Sequence, residues 1–175
     1  NGGKVLEAHS KIIVLENQSV AAHGQGAPDV QEIVTHGDVS ARVSMYYASG
    51  HTRLYKPFIV VEGFDPWQLN DLLCGNGNLD IELGFTNHID FYPSWKEEFD
   101  HGDEYDLVYV DWYDSFADLK DNAELLIKIL KETIENRKSQ YCEQAVLMGQ
   151  SMGGLISRLA LCKMESENTP HGVET

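Results

Sequence analysis

Residues 149–154 read Gly-Gln-Ser-Met-Gly-Gly, a serine with glycine two positions before it and two positions after it. A serine in that setting is suited to attack on a carbonyl when it sits on a tight strand-to-helix turn that holds its hydroxyl clear of the backbone. The glycines have a steric reason, because strand and helix pass too closely there for side chains to fit between them. Ala145 to Met148 is a short apolar run with the character of a buried strand, and an amphipathic helix begins at about Met152. That helix would aim the positive end of its dipole at the serine. Ser151 is therefore the candidate nucleophile. The plainer use of the same residues is a glycine-rich turn with a helix-capping serine.

Attack by a serine creates an oxyanion, which needs two aligned donors. The backbone N–H of Met152 is the first candidate. The second should come from the loop Glu62-Gly63-Phe64-Asp65, which ends the apolar run Phe58-Ile59-Val60-Val61. There the N–H of Phe64 is best placed, with Asp65 as the alternative if the loop turns one residue later. A proton acceptor is harder to find. His51, His88 and His101, with Asp103, Asp111 or Asp114, would have to act in an unusual order. His171 follows a helix that carries the chain away from Ser151. Asp111 ends a strand on the serine's side and could line the pocket, or serve as an ordinary hydrogen-bonded acid. The acidic run Glu97 to Glu104 lacks the spacing of a calcium loop. Phe91, Tyr92, Trp67, Trp95 and Trp112 suit either an apolar cleft or the cover of a sheet edge.

The elements that must position these residues are legible in the periodicity. Val39, Ala41, Val43, Met45 and Tyr47 alternate with Ser40, Arg42, Ser44 and Tyr46, as in a half-buried strand. Ala48 to His51 makes a turn. Phe58 to Val61, Leu107 to Val110 and Ala145 to Met148 are apolar on successive residues, which suits strands covered on both faces. A helix over roughly 118–137 carries Ala123, Leu126, Ile127, Leu130 and Ile134 on one stripe. Glu124 with Lys128 and Lys131 with Glu135 are placed as its solvated pairs. The final helix is expected to bury Leu155, Ile156 and Leu159. Strands alternating with helices predict an α/β fold with parallel crossovers, made mixed by an antiparallel hairpin in front. Residues 1–35 are the least defined: Lys11 to Leu15 reads as a short strand and Ala21 to Asp29 as a loop. Residues 74–105 read as a long surface excursion.

The 175 residues carry 13 Lys+Arg against 28 Asp+Glu, a net charge of -15 that disfavours nucleic-acid and anionic-membrane partners. Aliphatic runs of about four residues are too short for a membrane span. Cys74, Cys142 and Cys162 are widely spaced, with no Cys-x-x-Cys or Cys/His cluster, so neither a metal site nor a disulfide framework is expected. The opening Asn-Gly-Gly, without Met or leader, points to a processed form or a fragment.

The segments KPFIVVEGFDP, YDLVYVDWYDS and VLMGQSMGGLISRLAL together resemble the first half of an α/β-hydrolase, nearest to lipase/esterase-like (PGAP1-related) serine hydrolases. The resemblance covers about residues 56–164. It implies a mixed, mostly parallel sheet with flanking helices, a Ser-His-Asp triad, hydrolysis of small-molecule or lipid carboxylic esters, and no cofactor. It also implies a secreted or periplasmic setting. His-Gly is frequent in the family's oxyanion loop, and Glu62-Gly63 stands in its place here. Family order runs nucleophile, acid, histidine, yet only 24 residues follow Ser151. The expectation is a single domain over 1–175, incomplete at its C-terminus, with acid and base beyond Thr175. The strand before Ser151 would then pair on one side only, and the isolated piece would self-associate. An acyltransferase of the same fold, or a non-catalytic binding domain, are the alternative functions.

Overall fold

The computed structural model describes residues 28–64, 105–114 and 116–174. The predicted strand at 11–15, most of the loop at 21–29, the excursion over 74–105, the alternative donor Asp65, His88, His101, Asp103, Cys74 and the aromatics Trp67, Phe91, Tyr92 and Trp95 lie outside the described residues, except for residues 28, 29 and 105.

The first strand among the described residues, β1 (Val30–His36), lies almost wholly within the segment that gave the weakest sequence signal. It forms a hairpin with β2 (Val39–Tyr46), in register from Val30 opposite Met45 to His36 opposite Val39. The two-residue connection Gly37-Asp38 places Gly37 at φ 58°, a conformation glycine adopts without steric cost. The turn after β2 closes through the His51 N–H donating to the Ala48 carbonyl at 2.9 Å. The next strand, β3 (Pro57–Val61), does not lie beside β2. Instead β4 (Asp106–Trp112) is inserted between them. It runs antiparallel to β2, with Arg42 opposite Asp111, and parallel to β3, with Val61 opposite Val110. On the far side of β3 lies β5 (Val146–Gly149), parallel to it, with Val61 opposite Gly149.

The result is a five-stranded mixed sheet in the order β1-β2-β4-β3-β5, flanked by helices. Of its four neighbouring pairs, two are antiparallel and two parallel. The apolar runs behave as strands buried on both faces. Ile59, Val61, Val108 and Val110 enter the main core, while Val60, Leu107 and Tyr109 form a second buried cluster.

The long predicted helix is continuous but not uniform. It comprises α1 (Leu119–Lys128), a π-helical stretch Ile129–Ile134, and a last turn α2 (Glu135–Arg137). Asp118 caps its start by accepting the Lys120 N–H at 2.8 Å. The stripe Ala123, Leu126, Ile127, Leu130 and Ile134 is buried as its spacing requires. Its charged partners differ from those expected within the helix. Glu124 pairs with Lys163 on the last helix, Glu135 with Lys138, and Lys128 donates to the Thr35 carbonyl. Glu124 and Lys128 thus reach neighbouring elements in place of each other, while Glu135 keeps its pair at its own helix end.

The last helix, α3 (Met152–Ser166), corrects a sequence expectation. Ile156 is buried, but Leu155 is 60% exposed and Leu159 40% exposed. The inward face is Gly153, Ile156, Ser157, Ala160 and Met164. Small residues on that face allow close approach to α1 and to the sheet, so the leucines at i and i+4 are turned outward. After α3 the chain returns to β5. Ala145 donates to the Gly172 carbonyl at 2.8 Å and accepts from Glu174 N–H at 2.9 Å, making a short parallel bridge between Ala145 and Val173.

Candidate active site

β5 ends at Gly149 and α3 begins at Met152, so the reversal between them takes two residues. Ser151 adopts φ 48° and ψ -116° there, a region that side-chain-bearing residues rarely occupy. The turn is held by three backbone hydrogen bonds: Gln150 N–H to Val61 O at 3.0 Å, Gly153 N–H to Gln150 O at 2.7 Å, and Gly154 N–H to Ser151 O at 3.1 Å. Ser151 is solvent-exposed and makes no side-chain capping bond to its helix. A helix-capping serine is therefore not what the sequence encodes here.

Two glycines make this geometry possible. A Cβ on Gly149 would lie 2.4 Å from the Gly154 backbone, and one on Gly153 would lie 2.3 Å from the Glu62 carbonyl oxygen. The strain at Ser151 is thus imposed from both sides by backbone packed against backbone. Gly63 lies against the same turn, since a Cβ there would come within 2.9 Å of the Gln150 oxygen and 3.2 Å of Ser151 Cβ. The loop after β3 and the serine turn are therefore direct neighbours. Phe64 follows at the exposed rim, its ring edge-on to Phe116 at 5.3 Å between centroids. Phe64, Tyr113 and Phe116 are all about half exposed, which gives this end of the sheet an aromatic surface.

Glu62 anchors that loop. It is 7% exposed, its Oε2 accepts the Trp112 N–H at 2.9 Å, and its carbonyl accepts Trp112 Nε1 at 3.0 Å. Its own N–H reaches the Val110 carbonyl at 3.0 Å. A buried carboxylate with aligned donors is a rigid tie, because losing one partner would strand the other away from water. Sequence alone marked Glu62 only as a replacement for histidine. That it joins β3 to the end of β4 needed the strand order.

No protein-family model and no curated protein matches the chain.

The remaining candidates are dispersed. His51 Nδ1 lies 2.9 Å from Asp106 Oδ1, and Asp106 begins β4, at the end of the sheet opposite to Ser151. The length of β3 between Pro57 and Val61 separates the two ends by about 13 Å. His171 accepts the Val173 N–H at Nδ1 and approaches Glu165 through Nε2, also near the start of β5. Asp111 is paired across the strands with Arg42. Asp114 Oδ1 accepts the Phe116 N–H at 2.8 Å, closing a local turn. Cys142 and Cys162 are free thiols, and burial is the main cause that pushes the Cys142 thiol above its usual value. Among the described residues no group of three or more His, Cys, Asp or Glu is arranged to hold a metal, and no helix is long and apolar enough to cross a membrane.

Proposed function

We propose that the protein is a serine hydrolase of the α/β-hydrolase type acting on carboxylic esters, with Ser151 as nucleophile. The observation that carries this reading is the Ser151 backbone. A serine held at φ 48° between glycines that cannot carry a Cβ is backbone strain that its side chain does not offset with a capping bond, and it leaves the residue exposed at a helix N-terminus. The strand order β1-β2-β4-β3-β5, with the serine turn directly after β5, supports the same fold-level reading.

In this mechanism Ser151 Oγ attacks the ester carbonyl and an acyl-enzyme forms as the alcohol leaves. The Met152 N–H and the Phe64 N–H bind the oxyanion, Gly63 bringing the second close to the serine. A histidine oriented by an acid takes the serine proton and returns it to the leaving group. The Phe64–Phe116 rim suits an apolar acyl chain. Transfer of the acyl group to an alcohol in place of water would use the same groups.

A fluorophosphonate probe tests the assignment. In a longer protein that carries the acid and base, covalent labelling at Ser151 that disappears in Ser151→Ala is expected, and an unlabelled folded protein of that length would favour a binding role. In a catalytically complete protein the same substitution should lower kcat by roughly 10⁴–10⁶-fold. In the adduct, a phosphonate oxygen should lie about 3 Å from the nitrogens of Met152 and Phe64. Contact with water alone would remove Phe64 from the mechanism.

A further inference from the structure

A cleft of about 390 Å³ opens at the end of the sheet opposite to Ser151. It lies between β1, the turn after β2, and the end of the long helix. Glu32, Tyr47, Arg53, Glu132, Thr133 and Asn136 line it, together with Thr52 and Arg137. Its size falls within the range of small-ligand sites, about 300–1,000 Å³.

The chemistry of the walls narrows the ligand. An apolar guest would leave many hydrogen-bonding groups unpaired, at a cost for each. An anion meets no net positive charge, because Glu32 and Glu132 offset Arg137 and Arg53 across the lining. Arg137 is paired with Glu32, and Arg53 spends Nη1 on the Asn136 and Lys138 carbonyls at 3.3 and 2.9 Å, where it caps the helix end. Two arginines against two glutamates leave the lining neutral, in a chain of net charge -15. A neutral guest with many hydroxyls fits what remains. Asn136 and Glu132 present planar amide and carboxylate groups, which can each engage two adjacent hydroxyls, and Thr52 and Thr133 add hydroxyls of their own. Tyr47, packed against the core, adds an aromatic side chain to the lining. Burial is the main cause raising its phenol above the ordinary value, so at neutral pH it keeps its proton and can donate.

The helix supplies an independent observation. Glu132 and Thr133 belong to the π-helical stretch Ile129–Ile134, whose wider winding departs from the regular helix on either side. Such stretches are rare and concentrate at functional sites, where they re-aim side chains. This one re-aims two of the groups that line the cleft. We propose that the cleft is a binding site for a neutral pyranose sugar, separate from the serine turn and independent of the activity assigned to it.

Backbone NMR on the full chain tests this with four probes: the methyl pyranosides of glucose, galactose and mannose, and N-acetylglucosamine. Affinity for a monosaccharide in an open site is expected near the millimolar range, so each is titrated to about 50 mM. At least one should shift the amide signals of Thr52, Arg53, Thr133 and Asn136 while leaving Gly149 to Gly154 unmoved. The exposed substitutions Asn136→Ala and Glu132→Ala, which leave the Arg137–Glu32 pair intact, should each weaken that response tenfold or more. No shift with any of the four sugars would overturn the proposal. So would shifts that persist unchanged in both variants, or a response to inorganic phosphate that the sugars do not elicit.

Discussion

The two ends of the sheet hold residues capable of chemistry in opposite states. At the end where β5 stops, Ser151 is exposed, its backbone is strained, and glycines at 149 and 153 leave no room for side chains. At the other end, Asp106 is fully buried and wholly engaged. Its Oδ1 accepts from Ala48 N–H and faces His51 Nδ1, both at 2.9 Å, and its Oδ2 accepts from Tyr55 N–H at 2.6 Å and Lys56 N–H at 3.1 Å. An aspartate-histidine pair resembles two-thirds of a catalytic triad, yet this one fastens the chain between β2 and β3 to the start of β4. The lesson is that residue identity does not mark a reactive site. A reactive group is held in a costly conformation with an open face, whereas a structural one has its bonding capacity filled.

The contrast can be broken from either side. Gly153→Ala should have the largest effect, because its Cβ would overlap the Glu62 carbonyl and the backbone must move. A loss of at least about 3 kcal/mol, or failure to fold, is expected in chemical denaturation. A variant of native stability would mean that the serine turn is looser than the backbone contacts imply. Asp106→Ala comes next. It orphans three backbone N–H groups and should cost about 3–5 kcal/mol, while the folded fraction keeps its fluorophosphonate reactivity at Ser151. Reactivity lost in proportion to the substitution, in protein that is still folded, would connect the two ends. His51→Ala leaves those N–H bonds in place and should cost about 1 kcal/mol, with labelling of Ser151 unchanged.

The smallest effect concerns Cys142, near the Asp106 end. Burial raises its thiol above the reference value of 9.0, with Lys138 opposing and nearby carboxylates adding to the rise. A folded-state value above the unfolded one contributes stability that is present at lower pH and fades as pH climbs past about 9. Because the residue is partly exposed, the contribution is a few tenths of a kcal/mol at most. Denaturation midpoints at pH 7 and pH 10 should therefore fall slightly less in Cys142→Ala than in the parent.

Much of this architecture was legible because its strands are either cleanly alternating or apolar throughout. β2, β3, β4 and β5 each announced themselves within a residue or two, as did the turn at Gly50 and the stripe of the long helix. β1 did not, for a physical reason. Its partly covered parity includes Glu32, which is paired with Arg137, while Ile33 points outward at 66% exposure, so the expected alternation is inverted at its centre. Leu155 and Leu159 misled for a related reason: hydrophobic spacing says which residues share a face, not which face the neighbours need. Ser151, Met152 and the Gly63-Phe64 loop could be placed side by side from sequence, since local turn chemistry dictates the first two and strand polarity the third. The anchoring role of Glu62 and the fourfold use of Asp106 depend on β4 lying between β2 and β3, and no local pattern encodes that order.

That insertion of β4 sets a schedule for the growing chain. The β1–β2 hairpin can zip up as soon as Tyr46 is available, being built from neighbours in sequence. β3 cannot, because both of its partners are made later. The 44 residues from Glu62 to Tyr105 separate it from β4, and β5 comes later still. At a synthesis rate of about 5–20 residues per second, the segment Pro-Phe-Ile-Val-Val waits roughly 2–9 seconds with both edges unpaired. During translation this stretch leaves a chaperone an unpaired apolar strand to shield, and slowing or crowding synthesis there should favour aggregation.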